Sequence, residues 1–123
     1  MIIAVDFDGT CVTHEYPEVG KDVGAVETLH ELVAKGHKIM LWTMRSGKEL
    51  DDAVEWFEQN DIPLWGINEN TTQNWSTSHK QYAHLYIDDT ALGCPLRHDS
   101  WMCKSPYVDW VKVRQYLISN GII

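Results

Sequence analysis

The sequence predicts an α/β protein: one Rossmann-like domain over residues 1–123, with a mainly parallel five-stranded sheet and helices on both faces. Three observations predict it. Short, continuous apolar runs alternate with stretches whose apolar residues recur at helical spacing, the pattern of a buried parallel sheet joined by crossover helices. Three of those runs end in side chains suited to chemistry, as expected where ligands bind beyond the carboxyl ends of such strands. A chain of 123 residues, 44% of them hydrophobic, suffices for one core and leaves little room for two.

The first strand is the β-branched run Ile2–Val5, closed by acid and glycine at Asp6 and Gly9. Val26, Leu29 and Val33 share one side of a helix, with Asp22 to cap its start and Gly36 to stop it. Residues 38–43 form a second buried strand. The Ser46-Gly47-Lys48-Glu49 sequence fits a capping box and opens a helix with Leu50, Ala53, Val54 and Phe57 on its inner face. Pro63 follows that helix, Leu64–Ile67 is a short third strand, and residues 68–78 are polar loop. Residues 84–87 form a fourth strand ending at Asp88 and Asp89, and a fifth is expected near Trp101. Ser105-Pro106 starts a last helix bearing Trp110, Val113 and Leu117 on one side.

Composition excludes several functions. Ten Lys and Arg stand against 18 Asp and Glu, a net charge of −8, which disfavours a broad nucleic-acid surface or an anionic membrane. No run approaches the roughly 18 apolar residues of a membrane span. The start of the chain has no basic segment and too short an apolar run for a secretion signal. Cys11, Cys94 and Cys103 are odd in number and widely spaced, which suits a reducing cytoplasm better than a disulfide framework. Cys94, His98, Asp99 and Cys103 match no zinc-finger spacing.

If the strands are parallel neighbours, Asp6, Asp8, Asp88 and Asp89 converge on one crevice with Thr43 and one or two cations. At ~4 Å and an effective dielectric near ~20, each carboxylate pair costs on the order of 4 kcal/mol. Such a cluster calls for a cation or altered protonation. A set of oxygen ligands without His or Cys points to Mg²⁺ rather than zinc.

Asp6-Phe7-Asp8-Gly9-Thr10 after an N-terminal apolar strand resembles the first motif of the haloacid-dehalogenase-like (HAD) superfamily. Thr43 at a strand end resembles the second motif, Lys80 the third and Asp88-Asp89 the fourth, in the family's order and over most of the chain. The resemblance implies a HAD-like hydrolase with an aspartyl-phosphate intermediate on Asp6. It gives Asp8 the role of protonating the leaving oxygen and then activating water. It implies that Thr43 binds a phosphoryl oxygen, that Lys80 supplies positive charge, and that Gly9, Thr10 and Arg45 lie on the substrate side. Mg²⁺ would be held by Asp6, the Asp8 main chain and Asp88, with Asp89 direct or through water. An acid at position 8 favours phosphate esters over carbon–halogen or carbon–phosphorus substrates. The chain departs from the pattern where Ile87 precedes the acidic pair and where Gln81 stands in place of proline. Lys48 and Lys104 are alternative cations.

The stretch between Cys11 and Asp22 holds a turn and a flap-like hairpin, far short of the roughly 50 residues of a cap domain. Residues between Arg45 and Lys80 are used by one helix, one strand and a loop. The expected enzyme is therefore a capless phosphatase, open to a small phosphomonoester or the end of a larger molecule, or closed by a second copy of the chain. His14, Tyr16, Trp75 and His79 are candidates for its rim. Three other functions compete. A receiver-type signalling domain accepts phosphate after its third strand, and nothing acidic ends Leu64–Ile67. A HAD-fold regulatory protein would bind metal without efficient turnover. A phosphatase for nucleic-acid or nucleotide ends would share the same chemistry.

Overall fold

The computed structural model describes residues 1–99 and 101–123. Four parallel strands, β1 (Ile2–Val5), β2 (Lys38–Leu41), β3 (Leu64–Ile67) and β4 (Leu85–Ile87), form a sheet in the order β3-β2-β1-β4. Ile3 and Val5 lie beside Ile39 and Leu41 on one side and beside Leu85 and Ile87 on the other. Helices α1 (Ala25–Ala34) and α2 (Gly47–Gln59) follow β1 and β2, and α3 (Trp110–Ser119) ends the chain. A two-stranded antiparallel hairpin, β5 (Leu96–Arg97) with β6 (Tyr107–Val108), stands outside the main sheet.

Among the described residues the main sheet gains no fifth strand near Trp101, which lies in a turn. Its flanks pair with each other instead, Leu96 with Val108 and Arg97 with Tyr107. That pairing also delays the last helix. Tyr107 and Val108 are extended, so α3 starts at Trp110 with Asp109 as N-cap, its side chain accepting from the Lys112 N–H. At α1, Asp22 Oδ1 accepts from the N–H groups of Gly24, Ala25 and Val26. Ser46 occupies the N-cap of α2 as expected, although its side chain makes no capping hydrogen bond.

Among the described residues, helices cover only one face of the sheet. Leu29 and Leu32 of α1, Ala53, Trp56 and Phe57 of α2, and Val113 and Leu117 of α3 all join one cluster with Ile3, Val5, Ile39 and Leu41. The opposite face has only Ala4, Met40 and Ala83 buried together, flanked by Ile2, Trp42 and Trp65. Handedness explains the asymmetry. Right-handed crossovers from β1 to β2 to β3 place α1 and α2 on the same side. The return from β3 to β4 runs the other way along the sheet and so crosses the opposite face, and residues 68–84 make it without a helix. The direction of travel therefore reverses between β1 and β4, and a crevice opens beyond their carboxyl ends. No helix among the described residues is long and apolar enough to cross a membrane.

Phe7, between the two acids of the first motif, is fully buried against Trp56 and Phe57 at ring-centroid distances of 5.6 and 5.9 Å. The core thus fixes the backbone from which Asp6 and Asp8 project. Phe57→Ala is expected to cost about 3–5 kcal/mol, as removal of a buried aromatic ring does. Urea denaturation measures it, and a loss below about 1 kcal/mol would contradict this packing.

Candidate active site

The loop after β1 is wound around one carbonyl: the N–H groups of Thr10, Cys11 and Val12 all point to the Phe7 oxygen, at 3.1, 2.8 and 3.3 Å. Gly9 permits the turn with φ of +76°. A Cβ there would meet His14 Nε2 at 2.1 Å and Asp89 Oδ2 at 2.6 Å, so glycine is required by space as well as by conformation. The Asp6 N–H donates to the Ile87 carbonyl at 3.0 Å, which carries the β1–β4 ladder one residue beyond the strands and brings Asp6 beside Asp88 and Asp89.

Carboxylate oxygens of Asp6, Asp88 and Asp89 lie within 4.8 Å of one another, a group that could hold a metal ion. Thr10 is wholly buried. Its Oγ1 lies 3.0 Å from Asp6 Oδ2 and 3.2 Å from Asp89 Oδ1, and accepts the Asp89 N–H at 3.0 Å. One hydroxyl proton can serve only one of the two carboxylates at a time. Burial, the adjoining Asp89 carboxyl and the Asp88 charge push the Asp6 carboxyl up to about 8. His14 Nε2 lies 3.2 Å from Asp89 Oδ2 and 3.1 Å from the Pro106 carbonyl oxygen. Asp88 Oδ1 accepts from the N–H and hydroxyl of Thr90 at 2.9 and 2.8 Å.

The Asp8 side chain stands outside this cluster. Arg45, 3% exposed, grips both its oxygens, Nε on Oδ2 and Nη2 on Oδ1, each at 2.8 Å. Arg45 was expected on the substrate side, as was Thr10. Both are instead occupied by the protein itself. Thr43 is carried by the end of β2, where its N–H donates to Asn68 Oδ1 at 2.8 Å. Its Oγ1 accepts the Arg45 N–H at 3.1 Å, which leaves the hydroxyl proton to donate.

Lys80 is not with the carboxylates. It is exposed, and its Nζ lies 5.6 Å from the Tyr86 ring centroid. Among the described residues no ion pair joins it to Asp6, Asp8, Asp88 or Asp89. Of the alternatives, Lys48 pairs with Asp52 at 2.9 Å, whereas Lys104 shares a cleft with His14 and Glu15. Of the rim candidates, His14 reaches Asp89, and the Tyr16 ring lies 5.2 Å from the Arg45 guanidinium. Trp75 meets Tyr82 edge-to-face, Tyr82 meets His84 likewise, and His84 accepts the Ile2 N–H at the opposite end of β1. Trp75 is thereby assigned away from the carboxylates.

Two supports carry no motif. Asn68, at φ of 52°, turns back from the end of β3 to hold the Thr43 backbone, and left-handed Asn at a strand end is its only sequence signal. The hairpin and α3 brace the Asp6–Thr10 loop: the Val108 N–H donates to the Gly9 carbonyl at 3.0 Å and Trp110 Nε1 to the Thr10 carbonyl at 2.7 Å.

A solved structure, that of a conserved protein from Bacteroides thetaiotaomicron, is 34% identical to this chain, with 98% of this chain and 91% of that one covered and a TM-score of 0.77. The chain belongs to that protein's family. No protein-family model and no curated protein matches it. Identity at that level over nearly the full length fixes the α/β architecture, and what the site does must be argued from its own geometry.

Asp6 has a consequence for stability without metal. Its carboxyl holds a proton up to about pH 8 when folded and releases it near its ordinary value of 3.8 when unfolded. Its contribution is therefore fully present below pH ~4 and is lost as pH rises through about 8, with a slope approaching about 1.4 kcal/mol per pH unit in between. Denaturation in chelator at pH 5 and pH 8 should show the fall, and Asp6→Asn should flatten it. An equal slope in the variant would rule out Asp6 as the source.

Proposed function

We propose that the chain is a Mg²⁺-dependent phosphohydrolase with a HAD-type Rossmann-like fold, cleaving phosphomonoesters through Asp6. The observation that carries this reading is the meeting of Asp6, Asp88 and Asp89 within 4.8 Å at the crevice between β1 and β4, with Asp8 two residues further along the same loop. The donor set fits a hard divalent cation: only carboxylate oxygens are offered, and Asp6 is destabilised as an anion by burial and then by its acidic neighbours. Bound there, Mg²⁺ would supply the positive charge that keeps Asp6 ionised and offsets the charge on the phosphoryl oxygens.

The chain's own residues divide the remaining work. An Asp6 oxygen attacks phosphorus, the ester P–O bond breaks, and the electron pair leaves on the substrate oxygen, which takes a proton from the Asp8 carboxyl. Water then attacks the phosphorus on Asp6 and gives a proton to the Asp8 carboxylate. The P–O bond to Asp6 breaks, and inorganic phosphate leaves with both carboxyls restored. The Thr43 hydroxyl donates to a phosphoryl oxygen, and Thr10 and His14 orient Asp6 and Asp89. The positive charge assigned to Lys80 falls better to Lys104, which shares the cleft with His14. The phosphorylated substrate is a small molecule or an exposed end, since only the short stretch from Cys11 to Asp22 follows the first motif where a cap domain would stand.

One observation favours a second reading, a metal-binding regulatory protein of the same fold without efficient turnover: Lys80 stands apart from the carboxylates. Phosphate release from a panel of phosphomonoesters separates the two. The enzyme reading expects Mg²⁺-dependent release that falls ~1,000-fold or more in Asp6→Asn. Mg²⁺ binding by calorimetry without release from any ester would support the regulatory protein.

A further inference from the structure

We infer that Arg45 is the positioning residue for Asp8, locking the acid–base carboxyl to the flap of residues 13–21 rather than binding the substrate anion; this rests on the phosphohydrolase reading above. A guanidinium has five N–H donors, and all five are used. Two go to the Asp8 oxygens, two to the Pro17 and Glu49 carbonyls from Nη1 at 3.3 and 3.1 Å, and one to the Glu18 carbonyl from Nη2 at 2.7 Å. None remains for a phosphoryl group. The guanidinium is also enclosed by the rings of Phe7 and Tyr16, at 5.0 and 5.2 Å.

The partners of Arg45 come from three places that move independently in an unfolded loop: the first motif, the flap and the start of α2. The flap is closed at its base, where the Thr13 N–H donates to the Lys21 carbonyl at 2.9 Å and the Lys21 N–H to Thr13 Oγ1 at 3.0 Å. Its tip, at Pro17 and Glu18, is held by Arg45. The position of Asp8 and the closure of the flap are thus set by one side chain. The fork also requires two acceptor oxygens on Asp8. A protonated Asp8 would present an O–H in place of one acceptor and would have to release one arm of the fork.

A residue acting through the leaving-group acid has a signature that neither a structural nor a substrate-binding residue shares. The value of kcat/KM reports the steps through transfer to Asp6. Removing Arg45 should lower it by ~100-fold for glycerol 2-phosphate, whose alkoxide needs the proton, and by less than ~10-fold for 4-nitrophenyl phosphate, which does not. In an Asp8→Asn background Arg45→Ala should cost less than ~3-fold more, because its partner is already disabled. Arg45→Lys keeps the charge but not the fork, and should resemble Arg45→Ala. It carries the comparison if the alanine variant does not fold by circular dichroism. Equal losses for both esters, a change confined to KM, or additive losses with Asp8→Asn would each overturn the assignment. Failure of the phosphohydrolase reading is separately visible, as wild-type protein that releases no phosphate or as Asp6→Asn that still does.

Discussion

A half-buried carboxylate crowded by two others sets the terms for everything around the crevice. Asp6 follows a strand whose last three residues are buried, and it meets Asp88 and Asp89 where all three are half-buried and water screens their repulsion only in part. A proton, a cation or a rearrangement must answer that charge. The surrounding polar groups fit this need. The buried Thr10 hydroxyl is shared between two of the acids, and His14 stands against the outer oxygen of Asp89. The fourth acid, Asp8, is kept out of the cluster by a buried arginine. Keeping Asp8 apart spares the site a fourth negative charge.

The topology explains why these groups meet there. Because the chain reverses direction between β1 and β4, the loops after those strands diverge and leave a crevice instead of closing over each other. All three helices lie beneath one face, so the core that anchors Phe7 lies on the same side as the hairpin and α3 that brace the Gly9–Thr10 turn. The opposite face is covered by an irregular crossover whose aromatic residues Trp75 and Tyr82 remain considerably exposed.

Much of this was legible in the sequence, for identifiable reasons. Ile2–Val5 and Leu64–Ile67 are short apolar runs flanked by polar or turn residues, and their boundaries coincide with the strands. Local pattern also placed Trp110, Val113 and Leu117 on the inner side of the last helix. What local pattern could not show was pairing at a distance. The β5–β6 hairpin depends on Leu96 finding Val108, which moved the expected helix start from Ser105 to Trp110. Helices on both faces followed from the usual alternation of strand and helix, but the segment that crosses the second face contains Asn, Thr, Ser and Gln, and its backbone is satisfied by those side chains instead. At the site, Asp6, Asp88 and Asp89 meet as residue type led one to expect, but the Asp8 side chain does not join them. Residue type could not reveal that Arg45 would have every donor occupied, because four of its five hydrogen bonds reach residues 27 to 37 positions earlier in the chain.

The bond from the Trp110 indole to the Thr10 carbonyl joins residues 100 positions apart, and Asp89 meets Thr10 across 79. During synthesis, then, Asp6 and Thr10 emerge well before Asp88, Asp89 and Trp110. A growing chain on the ribosome carries Asp6 long before it carries a site. The acidic centre waits on contacts of long sequence separation, and a chain stopped before α3 lacks the Trp110 brace on the loop after β1.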